Sequence, residues 1–382
     1  MKNVCTALLI ILFLIIAGCE GQQEYQGHSH HTNEIDRPTK DTDINLFEHE
    51  ISIAAIGDIL IHARVYDDGW NGERYDFLSM LEPVKEYLKQ PDITMANQET
   101  IMGGEEIGLS TYPQFNSPFE LGEDLKKVGV DVVTMANNHT LDRGEEAIYN
   151  ATNYYEEIGM HYTGSFNSEE DQRTLRVIET EEDISVAFLS YTYGTNGIPV
   201  PDGKDYLVNL IDREQIEREV TEAEEQADVT IVSYHFGEEY QRLPNQQQTD
   251  LAQFAADLGA DVVIGHHPHV LQPLDWLEGK DGNQTLVAYS LGNFLSGQYE
   301  LYKRIGGILQ FSIKKDGTQV KVHSPSFLPT FVQFDMISDT MTDVQVLPLK
   351  DVSDQQLPDA SDHLAEIKEH LSQNIEDLQF IE

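Results

Sequence analysis

Residues 263–272 read VIGHHPHVLQ and place three histidines, His266, His267 and His269, directly after a run of valine and isoleucine. A short apolar run of this composition is typical of a buried β-strand. The imidazoles that follow it belong either to a solvated histidine-rich loop or to a metal site. A metal site needs further ligands, and these have to come from other parts of the chain.

Apolar runs alternate regularly with helical patterns from Ile51 onward. Strand-like runs lie at 51–58, 93–99, 132–138, 185–192, 229–236, 262–268 and 285–294. Helical patterns lie between most of them, at 76–90, 118–128, 144–158, 212–227 and 246–258. Such an alternation predicts an α/β fold whose central strands are largely parallel.

The C-terminal part of the chain has a different pattern. Two alternating runs within residues 306–324 flank a Lys-Asp-Gly turn, which predicts a β-hairpin. Residues 326–348 predict one or two further strands, and residues 359–380 predict an amphipathic surface helix. We therefore predict one large domain over 51–350 and a helical tail over 351–382.

The N-terminal stretch has the pattern of a secretion signal. Residues 1–19 read MKNVCTALLIILFLIIAGC and end in an Ile-Ala-Gly-Cys sequence at Cys19, which resembles the lipobox of bacterial lipoproteins. The apolar run is short for a membrane span, and a transmembrane anchor is the alternative. We predict a lipoprotein signal peptide over 1–19 with lipid on Cys19 and a flexible tether over 20–50. The predicted location is the cell membrane, on its extracytoplasmic face.

The charge balance excludes one class of partner. The 382 residues include 24 basic and 67 acidic side chains, a formal net charge of −43. Such a surface repels the phosphate backbone of nucleic acids, so no nucleic acid is predicted as a partner. Anionic polymers are repelled as well, except where bound metal ions reverse the local field.

Side chains of the types that bind metals follow most of the predicted strands. They are Asp58 and His62, Asn97 and Glu99, Asn137, Asn138 and His139, His235, His266, His267 and His269, and Ser290 and Asn293. Ligands of open α/β sheets gather outside the carboxyl ends of the strands, so we expect these side chains to meet there. Each of them alone also has a structural interpretation.

The mixture of imidazole, carboxylate and amide groups favours zinc, manganese or iron over calcium or copper(I). The candidate ligands exceed what one tetrahedral zinc ion needs, whereas two ions bridged by a carboxylate would use them. The sequence therefore predicts a cofactor of one or two divalent metal ions.

Six segments, in the same order, resemble the capsule-synthesis CapA family, the poly-gamma-glutamate biosynthesis proteins. They are AAIGDILIH (54–62), ANQET (96–100), MANNHTLDRG (135–144), SYHFGEEY (233–240), GADVVIGHHPHVLQP (259–273) and AYSLGNF (288–294). This family is in turn similar to the calcineurin-like metallophosphoesterases. The resemblance implies a metallophosphatase-like four-layer sandwich, in which two β-sheets are flanked by helices.

The resemblance also implies roles for individual residues. The implied metal ligands are Asp58, His62, Glu99, Asn138, His235, His267 and His269. Glu99 stands where the phosphoesterases have a bridging aspartate, and the four-residue spacing from Asp58 to His62 is wider than theirs. His266 has the slot next to His267, and the pair separated by one residue is favoured.

His139 matches the catalytic histidine that protonates a leaving oxygen or stabilises its charge. Asn137 precedes Asn138 where the phosphoesterases have glycine. Asp142 has two interpretations: it orients His139 as a partner in catalysis, or it forms a capping box with Glu145 for the following helix.

Two functions fit this resemblance. The first is a lipid-anchored, metal-dependent hydrolase of capsule or poly-gamma-glutamate biosynthesis that cleaves a phosphoester or an amide bond. The second is a non-catalytic accessory subunit of a membrane-bound polyglutamate synthase or export complex that binds polymer or metal. The predicted partners are an anionic cell-envelope polymer, the membrane and polyglutamate synthase subunits. The presence of His139 beside a full ligand set favours the enzyme.

Overall fold

The computed structural model describes residues 49–382. The predicted signal peptide, the lipid attachment at Cys19 and all but the end of the predicted tether lie outside these residues. The last two tether residues, His49 and Glu50, are already part of the first strand, because they continue its antiparallel pairing with Lys315 and Lys314.

The elements alternate along the chain as the apolar pattern predicts. The strands are β1 (His49–Leu60), β2 (Ile93–Gln98), β3 (Val132–Thr134), β4 (His161–Thr163), β5 (Arg176–Glu179), β6 (Ser185–Thr192), β7 (Val229–His235), β8 (Val262–His266), β9 (Leu271–Glu278), β10 (Gln284–Leu291), β11 (Asn293–Ser296), β12 (Ile305–Asp316), β13 (Gln319–Ile337), β14 (Thr340–Pro348) and β15 (Gln379–Phe380). The helices are α1 (Ala63–Gly69), α2 (Leu78–Leu81), α3 (Lys85–Lys89), α4 (Glu120–Lys127), α5 (Gly144–Ile158), α6 (Glu169–Arg173), α7 (Arg213–Gln226), α8 (Gln246–Leu258) and α9 (Ala360–Leu371).

The strands form two mixed sheets. The first has the order β14-β13-β12-β1-β2-β3-β4, with β11 beside β1 and β15 beside β13. The second has the order β5-β6-β7-β8-β10-β9. Strands β1 to β4 are parallel in the first sheet, as are β6, β7, β8 and β10 in the second. Antiparallel strands complete the β14 side of the first sheet and both edges of the second.

Apolar side chains fill three layers between these elements. Ile53 of the first sheet and Ile231 of the second lie in the layer between the sheets. The next residue along β1, Ala54, faces the helices on the outer side of the first sheet, and α7 and α8 cover the outer side of the second. The order helix, sheet, sheet, helix confirms the predicted α/β class. It also explains the continuous apolar runs, since central strands are covered on both faces.

Several elements differ from the sequence-based expectation. The predicted helix over 76–90 is divided into α2 and α3 around Pro83, which lacks the N–H that a continuous helix requires. The predicted helical tail is helical only in α9, and its end pairs with the first sheet as β15. Among residues 49–382, none of the helices has both the length and the apolar character needed to cross a bilayer.

Four aspartates fix the register of the parallel strands at their amino ends. Each stands at the start of one strand and accepts a hydrogen bond from a backbone N–H of the neighbouring strand. The pairs are Asp92 with Ser52 (2.7 Å), Asp131 with Thr94 (2.8 Å), Asp228 with Ser185 (2.9 Å) and Asp261 with Thr230 (2.9 Å). Two pairs lie in each sheet, so both sheets are aligned in the same way before their strands reach the opposite end.

The chain passes from the second sheet to the first at Gly292, between β10 and β11. Gly292 has φ +65°, and its carbonyl accepts a hydrogen bond of 2.8 Å from the Asp58 N–H of β1. A Cβ at Gly57 would lie 2.0 Å from that same oxygen. The crossing therefore requires glycine at position 57, and it ties the carboxyl ends of the two sheets together.

Asp261→Asn and Asp228→Asn are expected to change the pH dependence of stability in opposite directions. Burial raises the pKa of Asp261 from 3.8 to about 7, so the wild-type chain loses stability as the pH rises through that interval. Burial alone would raise the pKa of Asp228, but the hydrogen bonds from Lys315 and Ser185 together outweigh it and lower that pKa. The Asp228 contribution is therefore present at neutral pH and lost in acid.

Urea unfolding at about pH 5 and about pH 8 measures both effects. Asp261→Asn should be more stable than the wild type at the higher pH, with a smaller difference at the lower pH. Asp228→Asn should be less stable at both. A loss of stability in Asp261→Asn at the higher pH would contradict this account.

Candidate metal centre

The candidate ligands converge where the carboxyl ends of the two sheets meet. Asp58 lies near the end of β1, and Glu99 directly follows β2. In the second sheet, His235 and His266 are the last residues of β7 and β8 and are register partners. Because neighbouring parallel strands end side by side, each sheet delivers polar side chains from two neighbouring strands to one rim.

Asp58 connects the ligands of the first sheet with those of the second. It is fully buried, and its Oδ2 lies 3.1 Å from His269 Nδ1 while its Oδ1 lies 3.2 Å from His266 Nδ1. Asn97 Nδ2 donates a hydrogen bond of 2.9 Å to Oδ1. Burial alone would raise the pKa of Asp58, but the two histidines hold it well below its usual value. Asp58 is therefore an anion at the junction of the sheets.

Glu99 is the side chain whose surroundings require a cation. It is fully buried, and within residues 49–382 neither carboxylate oxygen has a hydrogen-bond donor. Its Oε1 lies 3.5 Å from His235 Nε2 and 3.7 Å from His269 Nε2. Burial, opposed by His269 and reinforced by Asp58, raises the pKa of Glu99 well above its usual value. A buried carboxylate without donors costs free energy unless a cation lies beside it.

Two groups of ligand atoms share Glu99. One consists of Asp58, Glu99 and His235, and the other of Glu99, His267 and His269. Within each group the ligand atoms lie within 4.8 Å of one another, close enough to coordinate one ion. The donor set fits the predicted cofactor, and a carboxylate common to both groups fits a pair of ions.

Two of the three imidazoles in the ligand groups are neutral, as metal ligands must be, whereas Glu99 and Asp58 raise the pKa of His269 to about 9 despite its burial. Burial lowers the pKa of His267 to about 3 and that of His235 well below its usual value, so both are neutral. His269 Nδ1 lies 3.1 Å from both Asp58 Oδ2 and Asn293 Oδ1, and two acceptors require a proton on this nitrogen. Its Nε2 is thereby directed toward Glu99, the orientation that outer partners impose on metal-binding histidines.

The backbone that carries His267 and His269 is strained. Their φ angles are +97° and +58°, in a region that residues with a side chain seldom adopt. Pro268 lies between them, and His267 packs its ring against Tyr193 with a centroid distance of 4.7 Å. Strain of this kind persists where surrounding contacts impose it, typically at functional sites. Here it places both imidazoles beside Glu99.

His139 is oriented by Asp142. Its Nδ1 lies 2.7 Å from Asp142 Oδ2, and the edge of the Phe115 ring packs against its imidazole at 4.7 Å. Asp142 Oδ2 also accepts a hydrogen bond from the Phe115 backbone N–H. The residue before α5 is Arg143, and no side chain caps that helix. The geometry thus favours the orienting role of Asp142 over the capping box.

Asn137 and Asn138 have separate roles. Asn137 is internal to its loop: it donates to the Gln98 carbonyl and accepts from the His139 N–H. Asn138 Oδ1 lies 2.9 Å from His235 Nε2, so it faces the ligand cluster.

The structure places His62 outside both ligand groups. Its Nδ1 lies 3.1 Å from the Leu60 carbonyl, and its ring packs on Phe115 at 5.2 Å. The reason is local, because the chain leaves β1 at this point and His62 is the residue that precedes α1. The wide spacing from Asp58 therefore turns the side chain toward Phe115.

Three further residues contact the centre. Asn97 and Asn293, which the sequence places among the candidates at strand ends without a specific role, contact Asp58 and His269. Asn196 lies in the loop after β6, with Oδ1 accepting from Asn138 Nδ2 at 3.3 Å and Nδ2 at 3.5 Å from His139 Nδ1. No local pattern in the sequence identifies it.

A family model described as the bacterial capsule synthesis protein PGA_cap matches residues 52–298. The chain belongs to this family, which confirms the resemblance seen in the sequence. It is 30% identical over 204 residues to the PGA biosynthesis protein CapA of Bacillus subtilis (strain 168), covering 51% of this chain and 50% of that protein. It is 27% identical over 279 residues to the capsule biosynthesis protein CapA of Bacillus anthracis, covering 71% and 66%. The chain thus spans between half and two thirds of the length of these relatives.

Solved structures with a similar course of the chain include a calcineurin-like phosphoesterase, YfkN, from Bacillus subtilis. It is 14% identical, with a TM-score of 0.42, and the match covers 84% of this chain and 99% of that one. A putative 5'-nucleotidase from Staphylococcus aureus is 13% identical, with a TM-score of 0.41 and coverages of 84% and 58%. At these scores, the assignment of the centre depends on its own geometry.

Glu99→Gln is expected to remove metal binding from both ligand groups and to stabilise the metal-free chain. The amide has no charge to bury, so the metal-free melting temperature should rise, while the increase produced by added manganese should disappear. Metal content by mass spectrometry should fall further in Glu99→Gln than in His267→Ala, which affects one group. Glu105→Gln, at an exposed glutamate, is the control. Full metal content in Glu99→Gln would contradict the shared carboxylate.

Proposed function

We propose that this chain is a lipid-anchored, metal-dependent hydrolase that cleaves a phosphoester or an amide bond during capsule polymer biosynthesis. The observation that carries the proposal is Glu99, a buried carboxylate without hydrogen-bond donors that two ligand groups share. The proposed cofactor is one or two ions of manganese, zinc or iron. When bound, such ions polarise the bond to be cleaved and activate a water molecule.

Each proposed ion site takes ligands from both sheets. Asp58, Glu99 and His235 would hold one ion, with Asn138 beside His235. Glu99, His267 and His269 would hold the other. Asn293 and Asp58 keep the proton of His269 on Nδ1, which leaves Nε2 for coordination.

His139 is the proposed proton donor to the leaving oxygen. Asp142 binds its Nδ1, so the proton to be transferred is on Nε2, and the Phe115 ring restricts rotation of the imidazole. A carboxylate on the far side of the ring stabilises the imidazolium, as a general acid requires. Asn196 contacts His139 and Asn138 and holds the two side chains in one arrangement.

The proposed substrate is an anionic cell-envelope polymer, capsule or poly-gamma-glutamate. Two named relatives support this, since both are described as capsule or PGA biosynthesis proteins. The lipobox-like sequence at Cys19 supports a position at the membrane, where polyglutamate synthase subunits would be the protein partners.

His139→Ala is expected to abolish metal-dependent hydrolysis and to leave the metal content unchanged, because the side chain belongs to neither ligand group. Hydrolysis of bis(p-nitrophenyl) phosphate with added manganese measures the first, and elemental analysis the second. His161→Ala, at an exposed histidine, is the matched control. Hydrolysis that survives in His139→Ala would disprove the proposed role.

The same assay separates the enzyme from the accessory subunit. A specific observation favours the latter: every residue of the two ligand groups is at most 4% exposed, as in a structural metal site. A wild-type chain that holds metal but cleaves neither ester nor amide substrates would establish the accessory function.

Cys19→Ser is expected to release the protein from the membrane. A lipid on this cysteine would be the attachment, so the variant should move from the membrane fraction to the medium or wash fraction. Immunoblotting of fractionated cells measures the distribution. Retention of Cys19→Ser in the membrane fraction would point to the transmembrane alternative.

A further inference from the structure

Residues 297–299, directly after β11, form a wall beside the metal centre. A Cβ at Gly297 would lie 2.8 Å from Arg64 Cγ and 2.9 Å from His62 Cβ, so both side chains pack over this glycine. The Arg64 guanidinium lies over the Tyr299 ring, 4.2 Å from its centroid. The absence of a side chain at position 297 is therefore what lets Arg64 reach Tyr299.

Hydrogen bonds connect this wall to the metal ligands. Gln298 Oε1 accepts a hydrogen bond of 2.9 Å from Asn293, whose Oδ1 lies 3.1 Å from His269 Nδ1. On its other side, Gln298 Nε2 lies 3.5 Å from the Tyr240 hydroxyl. The ring of Tyr240 is 6.1 Å from that of His269, so the wall reaches the ligand cluster through two routes.

Arg64 lacks the ion pairs that Arg74 forms with Glu123 and Asp124. Arg143 and Arg304 lack carboxylate partners as well within residues 49–382, but their guanidinium groups donate to backbone carbonyls. Within residues 49–382 Arg64 has no carboxylate partner, and its Nη1 is buried without a hydrogen-bond acceptor. A guanidinium offers five N–H donors in a planar fork that matches a carboxylate or a phosphate. Leaving a buried donor of this kind unpaired is unfavourable until an anion occupies the position.

A second cation extends the same surface. Lys303 Nζ lies 3.4 Å from the centroid of the Tyr240 ring, and its carbonyl accepts a hydrogen bond from Asn293. Tyr240 and Tyr299 are 42% and 49% exposed, although both are large aromatic residues. Two exposed tyrosines, each with a cation over its ring, thus lie on either side of Gln298, the residue that contacts the His269 partner Asn293.

We propose that Arg64, held over Tyr299, binds an oxyanion group that the substrate carries in addition to the group that reacts. The ligand chemistry is a carboxylate or a phosphate on a chain, with Lys303 and Tyr240 beside the next stretch of that chain. This inference rests on the proposed hydrolytic function and adds a residue, Arg64, that binds the anionic polymer at a group other than the one that is cleaved.

Binding in the absence of turnover tests the proposal. The starting protein is the manganese-loaded His139→Ala chain, and Arg64→Met is added to it. The probes are a short γ-linked glutamate oligomer, which offers carboxylates, and a glycerol phosphate oligomer of equal charge, which offers phosphates. Isothermal titration calorimetry gives both dissociation constants. Arg64→Met should weaken binding of at least one probe by about tenfold or more, the effect of losing a charged hydrogen bond.

Arg213→Met is the matched control, because Arg213 also lies over an aromatic ring, Phe254, at 4.5 Å, and its removal changes the net charge equally. Melting temperature and metal content establish that each variant is folded and loaded. A loss limited to one probe identifies the anion as carboxylate or phosphate. Equal weakening by Arg213→Met, unchanged binding in Arg64→Met, or no binding of either probe to the starting protein would overturn the proposal.

This test does not depend on catalysis. Hydrolysis by the wild-type chain and binding by the His139→Ala chain are separate measurements. Absence of the first together with presence of the second would overturn the proposed hydrolase and leave Arg64 as the anion-binding residue. Hydrolysis by the wild-type chain without binding of either probe by the His139→Ala chain would support the hydrolase and disprove the role of Arg64.

Discussion

The buried carboxylate of Glu99 is the constraint on which the arrangement of the centre depends. A side chain of this kind destabilises a fold unless positive charge is placed next to it. In this chain the surrounding strand ends supply neutral imidazoles, amides and a second carboxylate. Glu99 and Asp58 raise the pKa of His269 to about 9 despite its burial, so these two carboxylates share its positive charge. Protein groups alone therefore leave the cluster short of positive charge. The four-layer core, the aspartates at the amino ends of the strands and the strained His267–His269 backbone hold this uncompensated cluster in place.

The meeting of the two sheets makes the shared carboxylate possible. Asp58 and Glu99 come from the first sheet, whereas His235 ends β7 of the second sheet and His267 and His269 follow its β8. A sheet can align ligands along its own edge, but ligands from two sheets coincide only if the edges are joined. The hydrogen bond from the Asp58 N–H to the Gly292 carbonyl makes that connection next to the ligand itself. Gly57 and Gly292 thus help to position the ligands through their backbone atoms, although they have no side chains.

The sequence predicted the features that depend on short-range patterns. Apolar runs covered on both faces gave the central strands, and polar residues at their carboxyl ends gave Asp58, Glu99, His235 and His269. Contacts between residues far apart in the chain could not be predicted from such patterns. Asp58 and His269 are 211 positions apart, and the role of Asn293 as a hydrogen-bond partner of His269 is seen only in the folded structure. Strand β9 was missed because it follows the histidine cluster without a turn signal of its own. The position of His62 outside both ligand groups depends on where β1 ends and α1 begins, which the sequence pattern does not show.

The net charge of −43 and the proposed anionic substrate are compatible because charges act over short distances in salt solution. The Debye length is about 8 Å at physiological ionic strength, so most acidic residues of the surface contribute little to the potential at the centre. The groups near the centre determine that potential. Divalent ions among Asp58, Glu99 and the histidines would make it positive, and the cations Arg64 and Lys303 lie close by, over Tyr299 and Tyr240. The rest of the surface would repel the polymer. An anionic polymer would consequently be repelled by most of the surface and attracted to the edge where both sheets end. This difference in potential would by itself direct the polymer to the metal centre.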